Sequence, residues 1–158
     1  MIVYVTGDAT QPRGEGHKII VHICNDTGRW GKGFVLAISR RWKKPENAYR
    51  QWHEHPAGDN RVELGKIQPV RVSDDITVIN MIAQKGIYRS KGVPPIRYEA
   101  VRTCLKKVSS YAAEIPDNPV TIHMPRIGCG LAGGSWPEIE KIINETLTDF
   151  DVVVYGLG

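Results

Sequence analysis

The sequence predicts an α/β fold in which helices cover both faces of a mixed sheet, a three-layer sandwich. Three observations carry this. Short apolar runs alternate with amphipathic helical segments along all 158 residues, the pattern of a sheet with helices packed against it. The run at 19–24, IIVHIC, is nearly continuously apolar, as expected of a central strand covered on both faces. Two glycine-rich loops each follow a buried strand and each enter a helix, and the carboxyl ends of strands are where open α/β sheets bind ligands.

Taken in order, IVYVTGD alternates into a short first strand, and Pro12 and Gly14 close its connection. The central strand at 19–24 breaks into NDTGRWGKG and then a helix over roughly 33–42, with Phe34, Ile38 and Trp42 on one side. A shorter helix at 46–53 aligns Tyr49 and Trp52 as core residues. His53 and His55 are two apart and do not face each other on a helix, so they make no metal pair. Strands follow at about 64–72 and 76–83, and Pro69 marks the first as an edge. The second delivers Gln84 and Lys85 into a long connection, QKGIYRSKGVPP. The helix PIRYEAVRTCLKKVSSYAA carries an apolar stripe of Val101, Cys104, Leu105, Val108 and Ala112. Strand VTIHM leads to the second glycine loop, from Pro125 to Gly134. Ser135 and Glu138 read as a capping box opening a helix that buries Ile139, Ile142, Ile143 and Leu147. The last strand is DVVVY.

Composition excludes several classes. Hydrophobic residues are 41% and charged residues 24%, ordinary for one soluble globular domain spanning 1–158 with a core of its own. No apolar run approaches the ~20 residues of a membrane span, and the amino terminus reads as a strand and not a signal peptide, so a cytoplasmic monomer is expected. Cys24, Cys104 and Cys129 lack CxxC spacing, which points to reduced thiols without a disulfide framework, a zinc site or any other metal. The net charge of +4 is modest, and nucleic-acid binding would need a basic stripe with stacking aromatics that the sequence does not show. A small acidic ligand is enough.

The first glycine loop is the stretch that points to chemistry. Gly31 and Gly33 bracket Lys32 just before the helix FVLAISRRW. Glycine backbone there can approach a diphosphate closely, and the first amides of a helix point at an anion with the positive end of its dipole. The spacing is neither a dinucleotide fingerprint nor a P-loop, because Lys32 is followed by Gly33 and Phe34. His22, Asn25 and Asp26 are polar where the buried strand emerges. Asp8, just past the first strand, can accept from an amino group or organise a turn.

Three stretches, TGDAT, HICNDTGRWGKGF and MPRIGCGLAGGSW, together with the carboxyl-terminal VVVYGL, resemble the macrodomain, the ADP-ribose-binding fold, over essentially the whole chain. The likeness is greatest to the branch containing the chromatin-remodeller macrodomain, terminal ADP-ribose glycohydrolases and the ADP-ribose-1''-phosphate phosphatases. The resemblance implies a three-layer α/β/α macrodomain sandwich with a mixed, about six-stranded sheet and no cofactor. It implies that Gly7, Asp8 and Ala9 meet the adenine, with Asp8 taking its amino group. Asn25, Trp30, Gly31, Lys32, Gly33, Phe34 and Val35 would form the first ligand loop. Arg126, Ile127, Gly128, Cys129, Gly130, Leu131, Ala132 and Gly133 would close over the phosphates and distal ribose.

The catalytic lysine and aspartate of the glycohydrolases fall at Gln84 and Ala132, so no lysine adduct is expected. Lys85 would point to the opposite face unless the strand bulges. Hydrolysis would then rest on positioning, with His22, Asn25 and Gln84 handling the reacting bond or the attacking water. Cys129 reads as a small residue chosen for fit. The expected function is removal of mono-ADP-ribose from acidic side chains of modified proteins, with partners limited to ADP-ribose and such proteins. The alternatives are ADP-ribose-1''-phosphate phosphatase and a reader module that only binds.

Overall fold

The computed structural model describes residues 1–157. It has six strands, β1 (Ile2–Thr6), β2 (His17–Asn25), β3 (Ile67–Ser73), β4 (Ile76–Gln84), β5 (Val120–Pro125) and β6 (Asp151–Gly156). Four helices join them, α1 (Phe34–Arg41), α2 (Lys44–Glu54), α3 (Tyr98–Ala113) and α4 (Trp136–Thr146). The strands form one sheet in the order β1-β6-β5-β2-β4-β3. All neighbours are parallel except β3, which runs antiparallel to β4 at the edge. Pro69 lies in that edge strand, where a missing N–H leaves no ladder bond unmade in the interior.

The central strand is β2, between β5 and β4. Its side chains alternate between the two faces. Ile19 and Val21 join one core with α3 and α4, while Ile20 and Cys24 join a second with α1 and α2. This explains why the run is apolar throughout. Helix α4 shows the same logic on one stripe: Ile139, Ile142 and Ile143 are buried, each worth about 1.5–3 kcal/mol of transfer.

Two boundaries differ from expectation for identifiable reasons. Helix α3 starts at Tyr98 and not at the prolines. The N–H of Ile96 bonds the Ala132 carbonyl at 3.1 Å and that of Arg97 bonds Ala83 at 2.9 Å, so these residues tie the long connection to the second glycine loop. Ser135 is the N-cap of α4, but its side chain makes no capping bond, and the expected capping box is absent. Its N–H instead donates to the Tyr98 hydroxyl at 2.9 Å, which fixes the end of the loop to α3.

Since α3 carries the chain from β4 to β5 across one face of β2, the segments leaving β2, β4 and β5 converge over the carboxyl end of the central strand. A ligand would sit there.

Candidate functional site

Three clefts run into one another along these strand ends. The first, of about 390 Å³, is walled by Gly7, Asp8, Ala9, Phe34 and Tyr155. The middle one, of about 330 Å³, lies between Lys32–Val35 and Arg126–Ala132, with His22 and Gln84 in its wall. The third, of about 440 Å³, opens beyond Gln84 and includes Gly31, Arg29 and Tyr88. Gly33 and Phe34 belong to the first and second clefts, and Lys32, Val35, Gln84 and Leu131 to the second and third. The result is one trough.

Helix α1 begins at its floor. Gly33 is the N-cap, with φ 83°, and supplies no capping side chain. Leu36 N–H already bonds the Gly33 carbonyl at 3.1 Å, but the Phe34 and Val35 amides before it keep donors for a ligand or water. The residues before it are held from below. Asn25 Oδ1 accepts from the N–H groups of Thr27 at 3.0 Å and Arg29 at 3.1 Å and from the Thr27 hydroxyl at 2.9 Å, while Nδ2 donates to the Arg29 carbonyl at 2.8 Å. The Tyr49 hydroxyl accepts from Gly28 N–H at 3.0 Å and donates to the Asn25 carbonyl at 2.5 Å. Asn25, expected to handle the reacting bond, thus has both ends of its amide committed to shaping the loop.

Trp30 is a second correction. It is 3% exposed and absent from the trough wall. Its Nε1 donates to Ser39 Oγ at 2.7 Å, Ser39 donates to Glu46 Oε1 at 2.7 Å, and Arg50 Nη2 donates to the Trp30 carbonyl at 3.3 Å. The Ser39 bond and then the Arg50 pair hold the Glu46 carboxyl below its usual range. Trp30 is the anchor that fastens the loop to α1 and α2.

At the adenine-side end, Asp8 Oδ1 accepts from the N–H and the hydroxyl of Thr10, at 2.9 and 2.8 Å, so the carboxylate shapes a turn. This leaves Oδ2 for another donor. Tyr155 in the same cleft accepts from Arg13 N–H at 2.9 Å and sits 2.8 Å from His123 Nδ1, whose other nitrogen is 2.7 Å from Thr121 Oγ1. Burial pushes His123 down to about 4, so it is neutral and pairs with a hydroxyl at each ring nitrogen.

His22 is 1% exposed and packs edge-on against Trp30. Asn80 Nδ2 donates to Pro45 and Gln68, which turns its Oδ1 toward His22 Nε2 at 2.5 Å. The imidazole proton is therefore on Nε2, and buried Nδ1 has no partner among the described residues. Desolvation drives the ring down to about 4, against the Asn80 bond, so it is neutral near pH 7.

The register slips between Cys24 and Asn25: Cys24 pairs with Ile82 and Asn25 with Gln84, leaving Ala83 as a bulge. The bulge does not bring in Lys85, which is exposed and outside the trough wall. It presents Gln84, whose Nε2 donates to Gly86 at 3.1 Å, leaving Oε1 as an acceptor.

In the second loop, Arg126 through Ala132 line the middle cleft. Gly133 does not: with φ 77° it caps a single 3-10 turn, Gly130–Ala132, and a Cβ there would meet Pro94 at 2.7 Å. Gly128 lines the cleft with its backbone, but a Cβ would point inward, 2.9 Å from Ile96 Cδ1. Burial pushes the Cys129 thiol up, which keeps it protonated and unsuited to attack. Among the described residues no His, Cys, Asp or Glu cluster could hold a metal ion, and no helix is long and apolar enough to cross a membrane.

Six strands, helices on both faces and an amide-lined trough over the central strand define an α/β protein with a cleft shaped for an extended anionic ligand. The chain belongs to the macrodomain family. A macrodomain protein from Streptomyces coelicolor superimposes with a TM-score of 0.84 at 48% identity, covering 100% of both chains. The ADP-ribose 1''-phosphate phosphatase of Candida albicans is 27% identical over 92% of this chain and 93% of its own. The ADP-ribose glycohydrolase OARD1 of Bos taurus is 27% identical over 99% of this chain and 91% of its own. The chain also matches chromodomain-helicase-DNA-binding protein 1-like of mouse and zebrafish, but spans only 17% and 14% of their lengths. No family model matches.

Proposed function

We propose that this macrodomain is a hydrolase that removes mono-ADP-ribose from glutamate and aspartate side chains of modified proteins. The observation that carries the reading is the continuity of the three clefts. Adenine lies by Asp8, whose Oδ2 accepts from the amino group, with Tyr155 beside it. The diphosphate lies against the uncapped amides at Gly33–Val35 on one side and the Arg126–Gly130 backbone on the other. The distal ribose then reaches Gln84, with the attachment point opening into the third cleft.

Gln84 Oε1 holds the attacking water against the anomeric carbon, and the neutral His22 ring behind it fixes the floor of the site. The carboxylate leaves with the bonding pair, and the proton released by the water passes to solvent. No enzyme group is modified, because an amide at position 84 cannot form the adduct that a lysine could. Rate comes from fixing the sugar and water and from loop amides around the charge that develops. A carboxylate is a good leaving group, so this suffices for an ester.

The test incubates the protein with a peptide bearing ADP-ribosyl-glutamate and, separately, with ADP-ribose-1''-phosphate, following free ADP-ribose and inorganic phosphate. Faster ester cleavage is expected, with Gln84→Ala reducing it ~10- to 100-fold. Release of phosphate much faster than ester cleavage would move the assignment to the phosphatase named by the relatives. Binding without turnover of either would make the protein a reader.

A further inference from the structure

The formal charge of +4 is not spread over the molecule. Segments 26–33 and 84–95, which frame the third cleft, carry Arg29, Lys32, Lys85, Arg89 and Lys91 against one carboxylate, Asp26, and the rest of the chain holds sixteen cations and sixteen carboxylates. The whole excess therefore stands on the two segments that frame the mouth beyond Gln84. Asp26 is already engaged: its Oδ1 accepts the Gly86 N–H at 2.8 Å and clips the two segments together. None of the five cations is in a salt bridge among the described residues. Arg29 and Lys32 are in the cleft wall with Gln84 and Tyr88. Arg89 Nη1 donates to the Gly92 carbonyl at 2.7 Å, and its Nη2 comes within 3.6 Å of where a Gly133 Cβ would stand, against the second loop.

These charges exceed what the ligand of the trough requires. A diphosphate is met one cleft earlier by glycine amides, where a helix begins without a side-chain cap. The mouth cations stand where whatever is attached to the distal ribose must leave the protein. Between them are apolar surfaces, Tyr88 at 73% and Leu131 at 67% exposure, with Ile87 in the wall.

We propose that this mouth is a docking surface for an acidic polypeptide segment, so that the preferred substrate is an ADP-ribosylated glutamate or aspartate set among further carboxylates. This rests on the ester-hydrolase reading above. Polypeptide fits better than nucleic acid, because a strand of bases needs an aromatic platform for successive bases. The framing segments expose one aromatic ring, Tyr88, while Trp30 is buried. Single exposed ion pairs contribute little to affinity. Five cations outside any salt bridge on the two framing segments, two of them in the cleft wall, act together, raising encounter rates by steering, in a way that salt removes.

Three peptides with the same central ADP-ribosyl-glutamate and acidic, neutral or lysine-rich flanks provide the test. kcat/KM is read at low and high salt. Affinity is read on the same peptides made with a non-hydrolysable amide linkage. The acidic peptide should be cleaved ~10-fold more efficiently than the neutral one at low salt, and the difference should vanish at high salt. Lys85→Glu combined with Lys91→Glu, which brings the two framing segments to zero net charge, should erase the acidic preference at low salt while free ADP-ribose binds unchanged. Equal kcat/KM and equal affinity for all three at low salt overturn the docking surface and leave the hydrolase standing. Tightest binding of the acidic peptide with no cleavage of any keeps the docking surface and removes the hydrolase. A single-stranded oligonucleotide that displaces the acidic peptide at lower concentration than the unmodified acidic peptide does would assign the mouth to nucleic acid and overturn the proposal.

Discussion

Gly31→Glu is expected to weaken ADP-ribose binding about 100-fold and leave the fold intact, whereas Gly128→Ala should weaken the fold. At Gly31 an added Cβ meets nothing within 4 Å and the backbone is not left-handed, so stability should move by less than ~0.5 kcal/mol. The new carboxylate stands two residues from Gly33, roughly 7 Å along an extended loop. Repulsion from two phosphate charges at that distance, with an effective dielectric between 20 and 80, is about 1–5 kcal/mol. A middle value near ~3 kcal/mol is a loss of ~100-fold in affinity. At Gly128, φ is 73° and a Cβ would press on Ile96 Cδ1 at 2.9 Å and Ile139 Cδ1 at 3.2 Å. Left-handed strain and crowding together come to about 2 kcal/mol, or ~4–8 °C in melting temperature for a chain of this size. Isothermal calorimetry with ADP-ribose and thermal melts of both variants read the two effects separately. Full affinity in the Gly31 variant would refute the diphosphate site, and an unchanged melt in the Gly128 variant would refute the inward direction of that glycine.

Asn25→Ala should lower both stability and affinity, by about 2–3 kcal/mol for the former, since it orphans buried loop groups; a folded variant with full ADP-ribose affinity in calorimetry would show that the amide does not shape the loop. Tyr155→Phe should destabilise by ~1–3 kcal/mol, because His123 Nδ1 and Arg13 N–H lose their common partner, and urea titration would read it. His22 and His123 are held near 4 when folded against about 6.5 when unfolded. The folded state resists protonation, so their contribution is full above pH 6.5 and declines as pH falls toward 4. Between these limits two protons are taken up on unfolding, a slope of roughly 2.7 kcal/mol per pH unit. Urea midpoints at pH 7, 6 and 5 measure it, and a flat profile from 6 to 5 would contradict neutral burial of the two rings.

The sheet and both glycine loops were legible because each is written locally. A continuous apolar run such as IIVHIC allows little but a strand covered on both faces, and glycines before an amphipathic helix announce the loop. Roles that depend on distant partners were not legible. Asn25 looks like a free polar group until Tyr49, twenty-four residues on, closes over it. Trp30 reads as a ligand ring until His22 and Tyr49 pack against it and Ser39 takes its Nε1. The bulge at Ala83 leaves no mark in ITVINMIA, since it is set by register against β2. Ser135 and Glu138 have the spacing of a capping box, but Tyr98 engages the Ser135 N–H and the box does not form.

The pairing of β1 with β6 links opposite ends of the sequence: Gly7 N–H bonds the Gly156 carbonyl at 2.9 Å, beside the cleft shared by Asp8 and Tyr155. One wall of the adenine-side cleft is therefore a contact of very high sequence separation, which closes a loop of nearly the whole chain. Ligand affinity consequently reports the closure of the whole sheet. A molecule with β1 frayed from the edge would keep the glycine loops and their anion donors, yet lose the end of the trough that distinguishes a nucleotide from a bare phosphate.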